Sequence, residues 1–308
     1  MQNPHSPRPA DAQRGNWVDS IAPLWLRPYA RLARWDRPIG FWLLFWPCAM
    51  ALSLAANLSG RLDGGALLLC FIGAVAMRGA GCTFNDIVDA RIDAQVTRTS
   101  GRPIPSGQVS RRKALIFLIG QSLVGLIVLI QFNTASVALG AASLVLVAIY
   151  PFMKRITWWP QLFLGLAFSW GALMGFSITE GRIGLPALLL YAGAILWTIG
   201  YDTIYALQDR EDDALIGVKS TARLFGNHVR TIVGLFYAGT TLLWALAILA
   251  TGGGPISFIG LLVAAGHLGW QVQTLAPDES ANALARFKSN HVVGLVLSLG
   301  FALDALIA

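Results

Sequence analysis

Half of the sixteen carboxylates in this 308-residue chain lie in two short stretches. The first runs Asn85-Asp86-Ile87-Val88-Asp89-Ala90-Arg91-Ile92-Asp93. Asn85, Asp89 and Asp93 recur at every fourth position, so an α-helix sets them along one face. Several hard oxygen donors on one face suit a divalent cation such as Mg2+, which keeps part of its water shell and shares phosphate oxygens. The second stretch holds Asp202, Tyr205, Asp209, Glu211, Asp212 and Asp213. Asp202 and Asp209 are seven apart and Asp209 and Asp213 four, which again describes one helical face. The two stretches are expected to face each other across one site.

The elements that position these acids are apolar. The chain is 55% hydrophobic and only 13% charged, with a mean hydropathy of +0.59. A soluble domain carries about twice that charged fraction, so the expectation is an integral membrane protein. A spanning helix needs about 20 mostly apolar residues. Nine segments qualify: 39–57, 65–84, 113–131, 134–150, 160–179, 185–203, 229–250, 255–274 and 290–307. The third and fourth are separated only by Phe132 and Asn133 and form a tight hairpin. The acidic stretches fall at the ends of the second and sixth spans. Residues 1–38 read as a cytoplasmic segment without the apolar core of a cleavable signal, and 39–308 as one nine-helix domain.

Charge sets the orientation. With nine spans and the N-terminus inside, every one of the 23 Lys and Arg residues except Arg61 and Arg182 falls on the inner face or its flanks, as the positive-inside rule requires. The same asymmetry accounts for the +7 net charge and the basic pI without a nucleic-acid partner. Both acidic stretches lie on that basic face. A bacterial inner membrane, with the site on its cytoplasmic side, is the expected location. Cys48, Cys70 and Cys82 have no zinc or disulfide spacing and read as small apolar residues.

Arg91, Arg98, Arg102, Lys154, Arg155, Arg210 and Lys219 stand near the level of the acids. Taken singly, each is explained as an orientation charge. Together, carboxylates for a metal and cations for phosphoryl oxygens describe a diphosphate–Mg2+ site. No glycine-rich strand-to-helix turn is present, so a P-loop is excluded.

Asn85-Asp86-x-x-Asp89-x-x-x-Asp93 resembles the first signature of the UbiA superfamily of intramembrane prenyltransferases, and Asp202-x-x-Tyr205-Ala206-x-x-Asp209-x-x-x-Asp213 resembles the second. The likeness extends to Asp36-Arg37-Pro38-Ile39-Gly40, to Arg98-Thr99-x-x-Arg102-Pro103-Ile104-Pro105-Ser106-Gly107, to Tyr150-Pro151-Phe152-Met153-Lys154-Arg155 and to Lys219-Ser220-Thr221. The tyrosine-to-arginine stretch and Tyr201-Asp202-Thr203 look most like the branch that prenylates 4-hydroxybenzoate in ubiquinone synthesis. The resemblance implies an all-α polytopic membrane fold of nine transmembrane helices around a central cavity. It also implies Mg2+, a polyprenyl diphosphate donor, and 4-hydroxybenzoate as acceptor, attacked at the carbon ortho to its hydroxyl.

Roles follow from the same resemblance. Asn85, Asp86, Asp89, Asp202 and Asp209 would ligate metal, with Asp93 and Asp213 supporting them from behind. Arg98, Arg102, Lys154 and Lys219 would contact diphosphate. Tyr150 and Tyr205 either line the aromatic pocket or are interfacial tyrosines. The acceptor's carboxylate needs a cation of its own, and Arg34, in the Arg31, Arg34, Arg37 row, is the expected one. Three other readings remain: another prenyltransferase branch, a cation-coupled transporter, and a non-enzymatic scaffold. Against a transporter, the acids sit at span ends, and Asp304 alone is placed within a span.

Overall fold

The computed structural model describes residues 15–94, 99–215 and 217–307, without the side chains of Ile92, Asp212 and Asp213. The described residues are helical with no strand. The helices are α1 (Trp17–Ser20), α2 (Arg27–Leu32), α3 (Ile39–Ser59), α4 (Gly64–Asp93), α5 (Arg111–Leu129), α6 (Thr134–Ile156), α7 (Pro160–Phe168), α8 (Trp170–Glu180), α9 (Leu185–Ala206), α10 (Arg210–Leu215), α11 (Thr221–Phe225), α12 (Val229–Ala250), α13 (Pro255–Thr274) and α14 (Ser280–Ile307). Among the described residues, nine helical segments are long and apolar enough to cross a membrane. They are the nine read from hydropathy. The fifth is interrupted at Ser169, between α7 and α8.

Helix ends depart from the hydropathy edges where polar sequence continues a helix. α4 has 30 residues. At about 1.5 Å per residue, roughly 20 residues cross the hydrocarbon core, so the helix runs on past it. Asn85 begins that overrun, and the first acidic stretch is the emerging end of a spanning helix. α14 likewise starts at Ser280, ten residues before its apolar run.

The chain forms two compact units. Among the described residues, unit one holds 15–42 together with Phe71–Ile130. Unit two holds Leu43–Cys70 and Gln131–Ala308. Residues 15–42 are therefore part of a packed unit. Leu32 packs with Ala90, Ile104, Val109 and Ala114. A buried pair, Arg31 Nη2 to Asp19 Oδ1 at 2.8 Å, holds α1 on α2. α4 is seated on α5 by Thr83, whose hydroxyl donates to Gln121 Oε1 at 3.2 Å. Gly79 leaves the room that the Gln121 amide occupies.

In unit two, α9 is the buried helix. It packs on α12, where Gly193 and Gly200 admit the rings of Trp244 and Tyr237. Bilayer helices gain no hydrophobic energy from leaving lipid for one another, so close packing and interhelical hydrogen bonds hold them. Trp197 Nε1 donates to Asn290 Oδ1 at 2.7 Å, Thr240 Oγ1 to the Gly193 carbonyl at 3.1 Å, and Tyr237 OH to Gln271 Oε1 at 3.0 Å. Each such tie is worth about 0.6 kcal/mol in a bilayer; the first two hold α9, and the third joins α12 to α13. α6, by contrast, turns mostly outward, with Leu144, Val145 and Ile149 exposed as a lipid-facing side requires.

Asp304 has a structural task. Its carboxylate accepts from the Gly254 and Ile256 N–H groups and from Ser257 Oγ, which caps the N-terminus of α13. It is thus spent on a helix end, which takes from the transporter reading its within-span acid. All three cysteines are free; Cys48 and Cys82 are buried and Cys70 half-buried.

Candidate active site

The first acidic face is a buried network in unit one. Asp86 and Asp89 are 0% exposed and Asp93 6%, while Asn85 is half-buried. A buried carboxylate needs counter-charge and hydrogen bonds, and two arginines supply them. Arg34 Nη2 donates to Asp86 Oδ1 at 2.7 Å. Arg102 Nη1 reaches the same oxygen at 3.3 Å and Asp93 Oδ2 at 2.8 Å. The loop after α4 thereby folds back onto the acid face, helped by Thr99 Oγ1 donating to the Asp93 carbonyl. Burial pushes the Asp93 carboxyl up from its ordinary range; Arg102 opposes this, and Asp86 and Asp89 add to it.

Arg34 holds a left-handed backbone, φ +60°, alone among the described non-glycine residues. It follows α2 at the position where glycine is usual. The Trp35 N–H closes back on the Ala30 carbonyl at 2.8 Å. Left-handed backbone costs an L-residue about 1–2 kcal/mol. The return is its guanidinium, which caps the Arg31 and Leu32 carbonyls through Nη1 and holds Asp86 through Nη2. Both terminal nitrogens are thus engaged inside the protein. The open fork expected for the acceptor's carboxylate is committed to Asp86, because an acid this deep requires it.

The second acidic face differs. α9 ends at Ala206, a 3-10 turn spans Leu207–Asp209, and α10 starts at Arg210. Asp202 and Asp209 therefore do not share one continuous α-helical face: the tighter turn rotates Asp209 further round the axis. Gln208 Nε2, donating to the Tyr205 carbonyl at 3.0 Å, satisfies an acceptor released at this break. Asp202, Tyr205 and Asp209 are all half-buried. Arg210 turns outward to the exposed Asp278 at 2.8 Å. Beneath Asp202 an aromatic column descends into unit two. Tyr205 meets Phe287 at 4.6 Å between ring centroids, Phe287 meets Tyr201 at 5.8 Å, and Tyr201 meets Trp197 at 5.2 Å.

The remaining expected residues are placed as follows. Tyr150 and Lys154 lie half-buried on the last two turns of α6. Lys219 Nζ donates to the Ile156 carbonyl at 3.1 Å, and its backbone N–H to the Lys154 carbonyl at 3.1 Å, so it ties the chain after α10 to the end of α6. Arg98 and the Asp213 side chain lie outside the described residues. Arg78, counted from sequence as a flank of the basic connection, lies within the second span, seven residues before Asn85 and on the same side of α4. Gly40 makes its place, since a Cβ there would stand 2.5 Å from Arg78 Nε. An arginine inside an apolar run was the signal that could have singled it out.

The donor set fits a hard divalent cation. Asp86 Oδ1 is taken by two arginines, but its Oδ2 is buried without a hydrogen-bond partner among the described residues. An anionic oxygen left so in a dry site is the acceptor a cation would satisfy. No cage of three or more His, Cys, Asp or Glu side chains is preassembled among the described residues. Carboxylates repel one another, and here arginine stands in part for the cation.

The profile of the UbiA prenyltransferase family matches residues 44–295. The chain is 47% identical over 287 residues to a Drosophila pseudoobscura pseudoobscura protein called mitochondrial 4-hydroxybenzoate polyprenyltransferase, covering 91% of this chain and 71% of that one. Its fold is shared with a UbiA homologue from Aeropyrum pernix K1, with TM-score 0.72 and 24% identity over 85% of this chain and 97% of that one. It is shared also with a UbiA homologue from Archaeoglobus fulgidus solved with GPP and Mg2+, with TM-score 0.66 and 16% identity over 91% of this chain and all of that one. With its nine spanning segments and both acidic signatures, the chain belongs to the UbiA prenyltransferase family.

Proposed function

We propose that this protein transfers a polyprenyl group from polyprenyl diphosphate to the ring carbon ortho to the hydroxyl of 4-hydroxybenzoate. The observation that carries the reading is the first acidic face: buried carboxylates at the emerging end of a spanning helix, half neutralised by arginine, with one Asp86 oxygen unclaimed. The acceptor is taken from the name of the 47%-identical relative.

Each buried CH2 of the donor is worth about 0.8 kcal/mol, so its tail belongs in lipid and its head needs charge neutralisation at the membrane face. Each acidic face is assigned metal ligands of its own: Asn85, Asp86 and Asp89 in unit one, and Asp202 and Asp209 in unit two. Mg2+ bound there would stabilise the negative charge that develops on the leaving diphosphate. The chain's own residues do the rest. Arg34 and Arg102 fix the Asp86 carboxylate, and Arg102 also holds Asp93. Lys154 and Arg98 are assigned to diphosphate oxygens. The allylic C–O bond breaks with its electron pair going to diphosphate. The ring carbon then forms the new C–C bond, and loss of its proton restores aromaticity. Tyr205 and the aromatic column keep water from the allylic cation and offer it π-faces.

The relatives' mitochondrial location gives no support to a bacterial inner membrane, so the proposal carries forward only the sidedness, with both acidic faces on the basic side. The test is transfer by purified protein in lipid with one long-chain donor and a panel of acceptors. Asp89→Ala and Asp209→Ala should each lower transfer by at least about 10²-fold while the protein remains folded. Full activity in both, or equal transfer to an acceptor without the phenol, would overturn the reading.

A further inference from the structure

Arg31, Arg34, Arg37 and Arg102 each lie within 3.3 Å of a carboxylate oxygen. The guanidinium groups of Arg91 and Arg111 have no hydrogen-bond or ion-pair partner among the described residues. Arg91 is the last residue of the second span and Arg111 the first of the third. One connection joins them, so both stand at the same membrane face, at headgroup level. Five residues separate Arg91 from Asp86, about 140° round the helix. Arg91 is exposed while the acids are buried, so it lies on the back of α4, away from the acidic face.

Arg91 and Arg111 flank a groove of about 620 Å³ lined also by Ile104, Pro105, Val109 and Ser110. Its floor is apolar and firm: Ile104 and Val109 are buried against Leu32, Ala90 and Ala114. Ser110 caps α5 by accepting from the Lys113 N–H, which leaves its hydroxyl proton to donate. Two unpaired guanidinium groups and a hydroxyl over an apolar floor match a phosphate diester joined to hydrocarbon. Basic pockets at the ends of spanning helices are where anionic headgroups are held.

We propose that this groove binds the phosphate headgroup of an anionic phospholipid, with Arg91 and Arg111 on the phosphate oxygens and the Ile104–Val109 floor under the start of the acyl chains. The floor distinguishes a lipid from free phosphate, which would gain nothing from it. The site lies behind the acidic face and does not depend on the proposed reaction.

The test is native mass spectrometry of the full chain in a neutral detergent, titrated with phosphatidylglycerol and, separately, phosphatidylcholine. Wild type should retain phosphatidylglycerol preferentially. R91Q/R111Q should lose on the order of ten-fold in apparent affinity for it, with phosphatidylcholine unchanged. R91K/R111K, which keeps charge without the guanidinium fork, should fall between, and serves as the measurement if the glutamine variant does not fold. Equal retention by wild type and the variants would overturn the proposal and leave the two arginines as orientation charges. Inorganic phosphate at millimolar concentration should not displace the bound lipid; displacement would show an anion site without lipid preference and overturn it equally.

Discussion

The two acidic faces resemble each other in sequence and differ in how they are built. The first lies on the unbroken helix α4, its carboxylates buried, with Asp86 and Asp93 neutralised by Arg34 and Arg102. The second lies across a helix break, half-buried, and its neighbouring Arg210 spends itself on the exposed Asp278. Water screens a half-buried carboxylate at little cost, whereas a buried one must carry its counter-ion inside the fold. The same chemical motif is thus part of the architecture in unit one and an addition to it in unit two. Mutations should separate activity from stability in the second case and not in the first.

The largest contrast is between Asp86→Ala and Asp202→Ala. Both should lose at least about 10²-fold in transfer. Asp86→Ala should also destabilise the protein by about 3 kcal/mol, because the part-buried Arg34 and Arg102 guanidinium groups both lose the Asp86 carboxylate. Asp202→Ala should stay within about 1 kcal/mol of wild type. Thermal unfolding in detergent measures both, and equal shifts would break the comparison. Next comes Arg102, which serves two carboxylates. Arg102→Ala should cost about 3 kcal/mol. Arg102→Lys should recover part of it, since an ammonium keeps the charge but not the planar reach to both oxygens.

A smaller effect sharpens the role of Arg34. Arg34→Gly and Arg34→Ala both remove the Asp86 pair, but glycine also releases the left-handed strain. The glycine variant should therefore be the more stable by about 1 kcal/mol. If Arg34 acts by holding Asp86, kcat falls in both variants while the KM for 4-hydroxybenzoate changes little. A selective rise in that KM would mean that Arg34 grips the acceptor itself. The smallest expected effect is at Lys219, bound to the Ile156 carbonyl. Lys219→Met should cost about 1 kcal/mol of stability and leave the donor's KM within about three-fold. A ten-fold rise, about 1.4 kcal/mol of lost binding, would place its ammonium on diphosphate instead.

Sequence alone determined the class of protein, the nine spans, the oxygen-rich faces and the family resemblance. These follow from hydropathy over some 20 residues and from fixed spacing along a helix, which are local properties. Even the short link between α5 and α6 was legible, since Asn133 both separates two apolar runs and caps the second by accepting from the Ser136 N–H. Tertiary structure decided which cations serve which acids. Arg34 precedes Asp86 by 52 residues, and no periodicity carries a pairing across that distance. It also decided that α9 breaks before Asp209, that residues 15–42 pack into unit one, and that Arg78 sits within a span in the space Gly40 leaves. In each case the deciding quantity is the cost of burying charge or backbone without a partner. That cost is set by neighbours brought together in space.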